Sequence, residues 1–534
     1  MAIMISLTAM ANKRKLPYPI LWVFAGLIIG FIPFLPDLAL DPEVVFVILL
    51  PPLLYDAASK TSWHEFKSSI RPISTLAITL VFFTTLIVAV TAHFLIPGFT
   101  WPLAFLLGAI VSPPDAVAAS AVIKGMGLNQ KVVTILEGES LVNDASALIA
   151  YRYAIAAVTT GTFVFWKAGL QFILVAGAGI IIGMAIGYLF VLAHKKIENN
   201  SVVETSLTLL APYVSYLAAE QFRMSGVLAV VTTGLIMAWR SPEVFTYQTR
   251  MRTRVLWDTL IFLLHGFVFV LIGLQFPSIL NNLGTISFWK ILAYGLLISL
   301  VTILVRMAWV FAAAYWQNAM DARQKETADF ELPRMKNLWI YVLVIAWTGT
   351  RGVISLAAAL ALPLVLHDGS LFPMRYSIIF LTFIVIMVTL VVQGLSLPLL
   401  IRWLKIKPQD DWDMEEKELG LYLAKHTLQF IDQGIPSNLN TALTEQIKNT
   451  YQLKILALSK QMKEDKKQAK YETIRQAAKP DPLLETHQAI SRFQRGVLLK
   501  LHQEGEFSDS VIRQAERELD IEELNLNIKV NQEI

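Results

Sequence analysis

Long apolar stretches alternate with short charged or Pro/Gly-rich segments over the first 404 residues of the chain. Because a helix needs about 20 apolar residues to span a bilayer, this pattern predicts an all-α polytopic membrane protein with about 13 transmembrane helices. The first and the ninth of these stretches are short. The predicted spans cover residues 1–11, 17–35, 42–58, 72–96, 101–122, 132–158, 168–193, 202–220, 225–239, 257–276, 288–316, 338–366 and 374–404.

The pattern changes at Lys405, after which the long apolar runs stop and charged residues become frequent. Apolar residues still recur there at helical spacing, for example in E-E-K-E-L-G-L-Y-L-A-K-H-T-L-Q-F-I. Such spacing is typical of amphipathic helices in a water-soluble domain. We therefore expect a transmembrane domain over 1–404 and a helical tail over 405–534 that self-associates or regulates the transmembrane domain.

The composition agrees with a membrane protein. Hydrophobic residues make up 55% of the chain and charged residues 16%, against about 25% charged residues in soluble domains. The chain has no cysteine, which excludes disulfides, thiolate metal sites and thiol catalysis. The net charge of +4 carries no nucleic-acid signal, and no Gly-rich phosphate loop or dinucleotide fingerprint occurs. We expect neither a nucleic-acid partner nor a cofactor.

Lysine and arginine are unevenly distributed between the two sets of connections. If the N-terminus lies outside, the inner connections hold 18 basic residues, whereas the outer connections and the span ends next to them hold only Lys167, Arg223, Lys290 and Arg375. Short cytoplasmic loops accumulate Lys and Arg. The asymmetry therefore predicts a multi-pass protein of the plasma membrane with an external N-terminus and a cytoplasmic tail.

Two of the predicted spans contain residues that interrupt a helix. Pro113 and Pro114 interrupt the fifth span, and Gly349 and Gly352 flank Arg351 in the twelfth. Unwound backbone is tolerated in a bilayer only where protein or water covers it. Spans 4–6 and 11–13 run in opposite directions, and each triplet is broken in its middle member. This arrangement is typical of a transporter with inverted repeats and a binding site where the broken helices meet.

A small group of ionisable residues lies within the predicted spans, where such residues are rare and mark ion or proton pathways. They are Asp56, Asp115, Glu137, Glu139, Asp144, Arg152, Arg306 and Arg351. In the sixth span, Glu139 and Asn143 share one helical strip, and Ser140 and Asp144 share the next. Their oxygens suit a hard monovalent cation. Because burial disfavours the charged form of a carboxylic acid, one such group can hold a proton or a cation but not both, as an antiporter requires.

Opposite charges within the membrane also predict ion pairs. We expect Glu139 to pair with Arg351 and to tie the sixth span to the twelfth. Arg152 and Arg306 either pair with carboxylates of the group or extend to the membrane interface. Asp56 is either a cation ligand or a carboxylate at a helix end.

Three motifs occur in a specific order: S-P-P-D-A-V-A-A-S, then E-G-E-S-L-V-N-D-A-S-A-L, then T-G-T-R-G-V-I-S-L-A-A-A-L-A-L-P. In this order the chain resembles the cation:proton antiporter-1 family, which includes bacterial sodium/proton antiporters and animal sodium/proton exchangers. The segments L-P-P-L-L-Y-D-A-A at 50–58 and L-I-G-L-Q-F at 271–276 are also similar to this family, so the resemblance covers essentially the whole membrane domain. The tail motif R-E-L-D-I-E-E-L at 517–524 resembles the bacterial members less specifically.

The resemblance implies the sodium/proton antiporter fold, a homodimer in which a core domain with two crossing, broken helices moves against a dimerisation domain. It implies that Asp144 alternates between a cation, Na+ in the first place, and a proton, with Asp115 and Ser140 in the same cation site. Asn143 implies electroneutral one-for-one exchange, since relatives with two adjacent aspartates are electrogenic.

The resemblance also assigns Glu139 and Arg351 to a structural ion pair. Two positions depart from the family's pattern. Asp56 stands where many bacterial members have Glu, so that a ligand role there needs a longer reach than Asp has. Pro114 stands where close bacterial relatives often have Thr, which affects the unwound segment and the ion preference.

Other functions stay open at this point. An antiporter of the same family that prefers K+, or that accepts K+, Na+ and Li+, has the same motifs. An intramembrane aspartyl protease would use two membrane aspartates as a catalytic dyad, but the chain has no Gly-Asp dipeptide of the kind such enzymes carry. A cation channel needs a continuous pore lining, whereas inverted broken helices are typical of alternating access.

Overall fold

The computed structural model describes residues 4–8, 18–32, 42–115, 130–161, 165–197, 200–283, 287–325, 338–366, 369–404, 411–433, 441–463 and 481–532. In these ranges the regular structure is helical, apart from one β-bridge between Val365 and Leu371. The predicted all-α fold is therefore confirmed.

The helices of the apolar part of the chain follow the predicted spans closely. They are α1 Tyr18–Gly30, α2 Pro42–Lys60, α3 Trp63–Ser68, α4 Ile70–Leu95, α5 Trp101–Val111, α6 Gln130–Thr160, α7 Phe165–Lys196, α8 Ser201–Gln221, α9 Gly226–Val244, α10 Tyr247–Asn281, α11 Phe288–Lys325, α12 Leu338–Trp347, α13 Val353–Leu360 and α14 Arg375–Trp403. Two of them include a π-helical turn, Thr75–Leu80 in α4 and Thr389–Gln393 in α14.

Six helices in the described part of the chain are long and apolar enough to cross a membrane, namely α4, α7, α8, α10, α11 and α14. Helix α6 has the length, with 31 residues, but Glu137, Glu139 and Asp144 interrupt its apolar sequence. The chain is therefore a multi-pass membrane protein. The count of 13 spans stays a prediction, because residues of several predicted spans lie outside the described ranges.

Both predicted helix interruptions are confirmed. Helix α5 ends at Val111, and the next four residues, 112–115, are not helical. Two consecutive prolines follow there, which remove backbone donors and clash with the preceding turn. Helix α12 ends at Trp347, and α13 begins only at Val353. The continuation of the first broken helix, 116–129, lies outside the described residues.

The chain divides into two compact units. A membrane unit comprises Met1–Thr61, Phe66–Arg240 and Arg252–Pro408, and a tail unit comprises Ser62–Glu65, Ser241–Met251 and Gln409–Ile534. The division near Pro408 lies four residues beyond the boundary expected from the sequence. The two short segments of the tail unit were not expected, since both precede the tail by more than a hundred residues.

Four helices build most of the tail unit: α15 Asp411–Asp432, α16 Thr441–Lys463, α17 Asp481–Glu504 and α18 Asp509–Gln532. The apolar faces of α15, α17 and α18 meet in a core that includes Leu419, Leu498 and Ile512. Ile447 of α16 packs in a second, smaller cluster with Ile431 and Ile490. The helical spacing in the sequence predicted this burial.

Two buried aspartates hold the short segments of the tail unit. Asp520 accepts hydrogen bonds from Nε and Nη2 of Arg250, at 3.1 and 2.6 Å. Asp509 accepts a hydrogen bond from Ser62 at 2.7 Å. Burial alone would raise the pKa of Asp509, but hydrogen bonds from His502 and Ser62 and the charge of the nearby histidines lower the pKa below its ordinary value. This carboxylate therefore stays ionised.

Helices α1 and α10 approach each other through two glycines. A Cβ atom at Gly273 would lie 2.3 Å from the carbonyl oxygen of Val23, and one at Gly26 would lie 2.1 Å from that of Val270. Small residues at such crossings let two membrane helices pack backbone against backbone.

We predict that Gly273→Ala destabilises the membrane unit by about 1–3 kcal/mol, because the added methyl group overpacks this crossing. The matched control is Gly177→Ala in α7, where a Cβ would have no described neighbour within 4 Å. The melting temperature of the purified protein, followed by tryptophan fluorescence in detergent, should fall for the first variant only. Equal melting temperatures for both variants would contradict the close crossing.

Candidate cation site where the broken helices meet

The two unwound segments are hydrogen-bonded to each other. The N–H of Asp115 donates to the carbonyl oxygen of Thr350 at 2.6 Å, and the hydroxyl of Thr350 donates to the carbonyl oxygen of Asp115 at 2.9 Å. Where a helix stops, backbone groups lose their helical partners, and inside a bilayer they need new ones. Each of the two unwound segments supplies such partners to the other. The predicted meeting of the two breaks is therefore observed.

Gly352 makes this close approach possible. A Cβ atom at position 352 would lie 1.7 Å from Oδ2 of Asp115, so any other residue would displace the carboxylate. The sequence predicted Gly352 as a helix breaker, and the structure adds that it leaves room for the carboxylate of Asp115.

Asn143 joins helix α6 to the first break. It is fully buried, and its Nδ2 donates a hydrogen bond to the carbonyl oxygen of Pro114 at 2.8 Å. Among the described residues its Oδ1 has no hydrogen-bond partner. Pro114 lies beyond the end of α5, and the amide of Asn143 supplies its carbonyl oxygen with a hydrogen-bond donor.

Asp144 follows directly and is also buried, with 6% of its surface exposed. It lies close enough to the half-buried Asp115 for the two carboxylates to repel each other. Ser140, one turn earlier on the same strip of α6, is half-buried. Two carboxylates and a hydroxyl offer oxygen ligands only, which suit a hard cation. A single positive charge between the carboxylates would offset their repulsion.

The prediction that Glu139 pairs with Arg351 is wrong. Arg306 of α11 forms the buried ion pair with Glu139: Nη1 contacts Oε1, and Nη2 donates to Oε2 at 2.9 Å. Arg306 also donates to the carbonyl oxygen of Ile345 at 3.1 Å. The pair therefore ties α6 and α11 to the last turn of α12. Gly349 leaves the space for Arg306, whose Cδ lies 2.4 Å from where a Cβ of residue 349 would stand.

Arg351 instead donates hydrogen bonds to backbone carbonyl groups. Its Nε donates to the carbonyl oxygen of Val111 at 3.1 Å, and Nη1 contacts the carbonyl oxygen of Gly349. Its own N–H donates at 3.0 Å to the hydroxyl of Thr389, at the start of the π-helical turn in α14. No carboxylate within the described ranges lies at ion-pair distance from its guanidinium. Arg351 thus binds carbonyl groups that the ends of two broken helices leave open.

Two further ionisable residues, Arg152 and Asp56, lie in other ion pairs. Arg152 pairs with Glu220 of α8 at 2.6 Å. Asp56 pairs with Lys60 at 2.9 Å, and Lys60 also contacts Asp258 at 2.8 Å. Asp56 therefore has the contact expected of a carboxylate near a helix end, and its role as a cation ligand stays a prediction.

Two hydroxyl groups of this region were not predicted from the sequence, those of Thr350 and Thr389. Thr350 lies inside the T-G-T-R-G-V motif, so its position between the two helix-breaking glycines was an available signal. Thr389 lies in an apolar helix, where nothing in the pattern distinguishes it from a threonine that binds its own helix.

The sequence profile of the transmembrane part of sodium/hydrogen exchangers matches residues 1–403. The chain belongs to this exchanger family. The family's reaction is the exchange of cations and protons across a membrane, so the chain is a secondary transporter and not an enzyme. This membership excludes the protease alternative, and it favours alternating access over a channel.

Individual relatives agree with the family. The chain is 31% identical over 453 residues to a sodium, potassium, lithium and rubidium/H+ antiporter of Bacillus pumilus, across 82% of this chain and 66% of that protein. It is 30% identical over 527 residues to an uncharacterized Na+/H+ exchanger of Mycobacterium tuberculosis, across 97% of this chain and 93% of that one. The fold resembles the sodium proton antiporter MjNhaP1 of Methanocaldococcus jannaschii, with a TM-score of 0.59 at 21% identity over 75% of this chain and 95% of that chain.

We predict that Glu139 and Arg306 are energetically coupled. Removing one partner of a buried pair leaves an uncompensated charge and costs about 3–5 kcal/mol, so Glu139→Gln and Arg306→Met should each lower the melting temperature strongly. The double variant should lose less than the sum of the two. A parallel cycle with Glu139→Gln and Arg351→Met is the control, and its coupling should be clearly smaller. A larger coupling to Arg351 than to Arg306 would contradict the observed pairing.

Proposed function

We propose that this chain exchanges a monovalent cation, Na+ in the first place, for one proton, with cation and proton competing for Asp144. The observation that carries the proposal is the position of Asp144. It is buried in α6, next to the point where two unwound segments cross, and a second carboxylate, Asp115, lies close by. Inverted-repeat transporters bind their substrates at such crossings.

The competition follows from charge. A buried carboxylate is costly while it is ionised and unpaired, and either a proton or a monovalent cation removes that cost. The site therefore favours two states, proton-bound and cation-bound, and disfavours the empty one. If the site changes sides only when occupied, one cation moves in exchange for one proton.

Asn143 supports an electroneutral cycle. A carboxylate at this position would carry a second charge next to Asp144, whereas the amide carries none. The amide also has a structural reason to be there, because only a donor can bind the Pro114 carbonyl at 2.8 Å. Because Asn143 is neutral, Asp144 is the one carboxylate of this adjacent pair that binds the cation and the proton in turn.

A broader cation range is the second candidate. The name of the Bacillus pumilus relative includes sodium, potassium, lithium and rubidium. The ligand set proposed here, Asp144, Asp115 and Ser140, contains carboxylate and hydroxyl oxygens, which bind all alkali cations and differ among them mainly in cavity size. A transporter that accepts K+ and Li+ besides Na+ fits the same residues.

The exposed apolar surface of the helices and the distribution of basic residues support a placement in the cell. Helix α7 exposes large apolar side chains, among them Ile173, Leu174, Ile181, Leu189 and Leu192, which is a surface suited to lipid or to a second copy of the chain. We place the protein in the plasma membrane as a homodimer, with the N-terminus outside and the tail cytoplasmic, in agreement with the distribution of lysine and arginine.

We predict that Asp144→Asn abolishes exchange, because an amide can neither release a proton nor compensate a cation. Protein in liposomes with an internal pH dye receives Na+, K+ and Li+ in turn, and cation-driven proton movement should fall to the level of protein-free liposomes. The matched control is Asp258→Asn, which removes an exposed carboxylate paired with Lys60 and should retain exchange. Proton movement that survives in a well-folded Asp144→Asn protein would refute the proposal.

We also predict that the exchange rate does not depend on membrane potential. In liposomes with equal K+ on both sides, valinomycin clamps the potential at zero. An electrogenic exchanger accelerates under this clamp because no opposing potential builds up, whereas an electroneutral one keeps its initial rate of Na+-driven proton movement. A clear acceleration would rule out one-for-one exchange at Asp144.

A further inference from the structure

Two histidines and an aspartate converge in the tail unit, and none of them takes part in the exchange described above. Nδ1 of His64 lies 3.1 Å from Oδ1 of Asp509, and Nδ1 of His502 lies 3.1 Å from the same oxygen. A set of potential metal-ligand atoms, one from each residue, lies within 4.8 Å of one another. The two imidazole rings are 5.5 Å apart and nearly perpendicular.

The chain brings these residues together through one turn. His502 lies in the last turn of α17, and Asp509 is the first residue of α18. Gly505 reverses the chain between them with φ of +71°, and its Cα faces the ring of His64, which a Cβ would approach to 3.2 Å. A residue with a side chain would be strained at this φ and would crowd His64.

We propose that His64, His502 and Asp509 bind a divalent transition-metal ion, with Zn2+ the best suited. Imidazole nitrogens and a carboxylate oxygen are the ligands of three-residue zinc sites, which leave a fourth position for water. In a tetrahedral site with bonds of about 2.0–2.1 Å, neighbouring ligand atoms are about 3.3 Å apart. The two observed separations of 3.1 Å are therefore close to those that the metal requires.

Hydrogen bonds to Oδ2 of Asp509 orient its carboxylate for metal binding through Oδ1. Oδ2 of Asp509 accepts hydrogen bonds from the hydroxyl of Ser62 at 2.7 Å and from the N–H of His64 at 3.4 Å. Oδ1 is thereby directed to the two imidazoles. Groups that orient a metal ligand in this way contribute strongly to metal affinity.

The site has an entry path. The side chain of His64 is 33% exposed, whereas those of His502 and Asp509 are 6% and 1% exposed. A hydrated ion can reach the cluster from the side of His64, the most exposed of the three residues. A metal ion would replace the two hydrogen bonds to Oδ1 and would take neutral imidazoles with their protons on Nε2.

The surrounding charges are mixed. Arg513 interacts electrostatically with Asp509, and its positive charge opposes a cation there, but Glu65 and Glu516 also act on Arg513 and offset it. The bound metal would connect segment 62–65 to α17 and α18 within the tail unit. The cluster is thus a metal-dependent tie between a short segment that follows α2 and the C-terminal helices.

The test uses the full-length protein in detergent, without an affinity tag and after treatment with a chelator. Zn2+ alone is titrated by calorimetry, and Co2+ alone by visible absorption, where a tetrahedral site gives intense bands. We expect one Zn2+ per chain. His64→Gln should weaken Zn2+ binding by at least about 100-fold, since losing a ligand exceeds the effect of losing an orienting group. Ser62→Ala, which removes no ligand, should weaken it by about 10-fold.

The matched control is His426→Gln, a tail histidine whose Nδ1 lies 2.9 Å from the carbonyl oxygen of Tyr422 in its own helix. This variant should bind Zn2+ like the unmodified protein. Equal affinity in His64→Gln and His426→Gln, or no stoichiometric binding at all, would overturn the proposal. Because His64 is partly exposed, its variant is expected to fold, and unchanged melting of both chelator-treated variants verifies this.

Discussion

The structure depends on one constraint, which is that a helix broken inside a bilayer must find new partners for its backbone groups. Here the two broken segments solve this for each other, since Asp115 and Thr350 exchange hydrogen bonds in both directions. Side chains complete the arrangement where backbone cannot, with Asn143 on the Pro114 carbonyl and Arg351 on the carbonyls of Val111 and Gly349. The crossing thereby becomes a fixed frame for charged groups that would be costly elsewhere in the membrane.

Helix α6 separates two tasks on neighbouring strips. Glu139 and Asn143, one turn apart, both connect α6 to other elements, the first to Arg306 and the second to the break after α5. Asp144, which lies one turn after Ser140 on the adjacent strip, is close to Asp115, the second carboxylate of the crossing. Under the proposed function, one strip anchors the helix and the adjacent strip carries the exchanging carboxylate, which accounts for the many polar residues within two turns of one membrane helix.

Local features of this fold could be predicted from the sequence, whereas choices between distant partners could not. Pro113, Pro114, Gly349 and Gly352 act on their own helices, so both interruptions were predicted at the right residues. The partner of Glu139 was not, because two arginines were available and only the packing of α11 against α12 brings Arg306 to it. The cluster in the tail unit was also beyond prediction, since His64 and Asp509 are 445 residues apart.

Asn143 connects the structural constraint to the proposed charge of the cycle. The carbonyl of Pro114 accepts a hydrogen bond from the Asn143 amide, and a carboxylate at position 143 could donate only while protonated. An amide always can. An amide in place of a carboxylate at position 143 also removes one negative charge from the neighbourhood of Asp144. In the proposed cycle, Asn143 therefore has two roles: it donates a hydrogen bond to the Pro114 carbonyl, and it leaves Asp144 without a second carboxylate beside it.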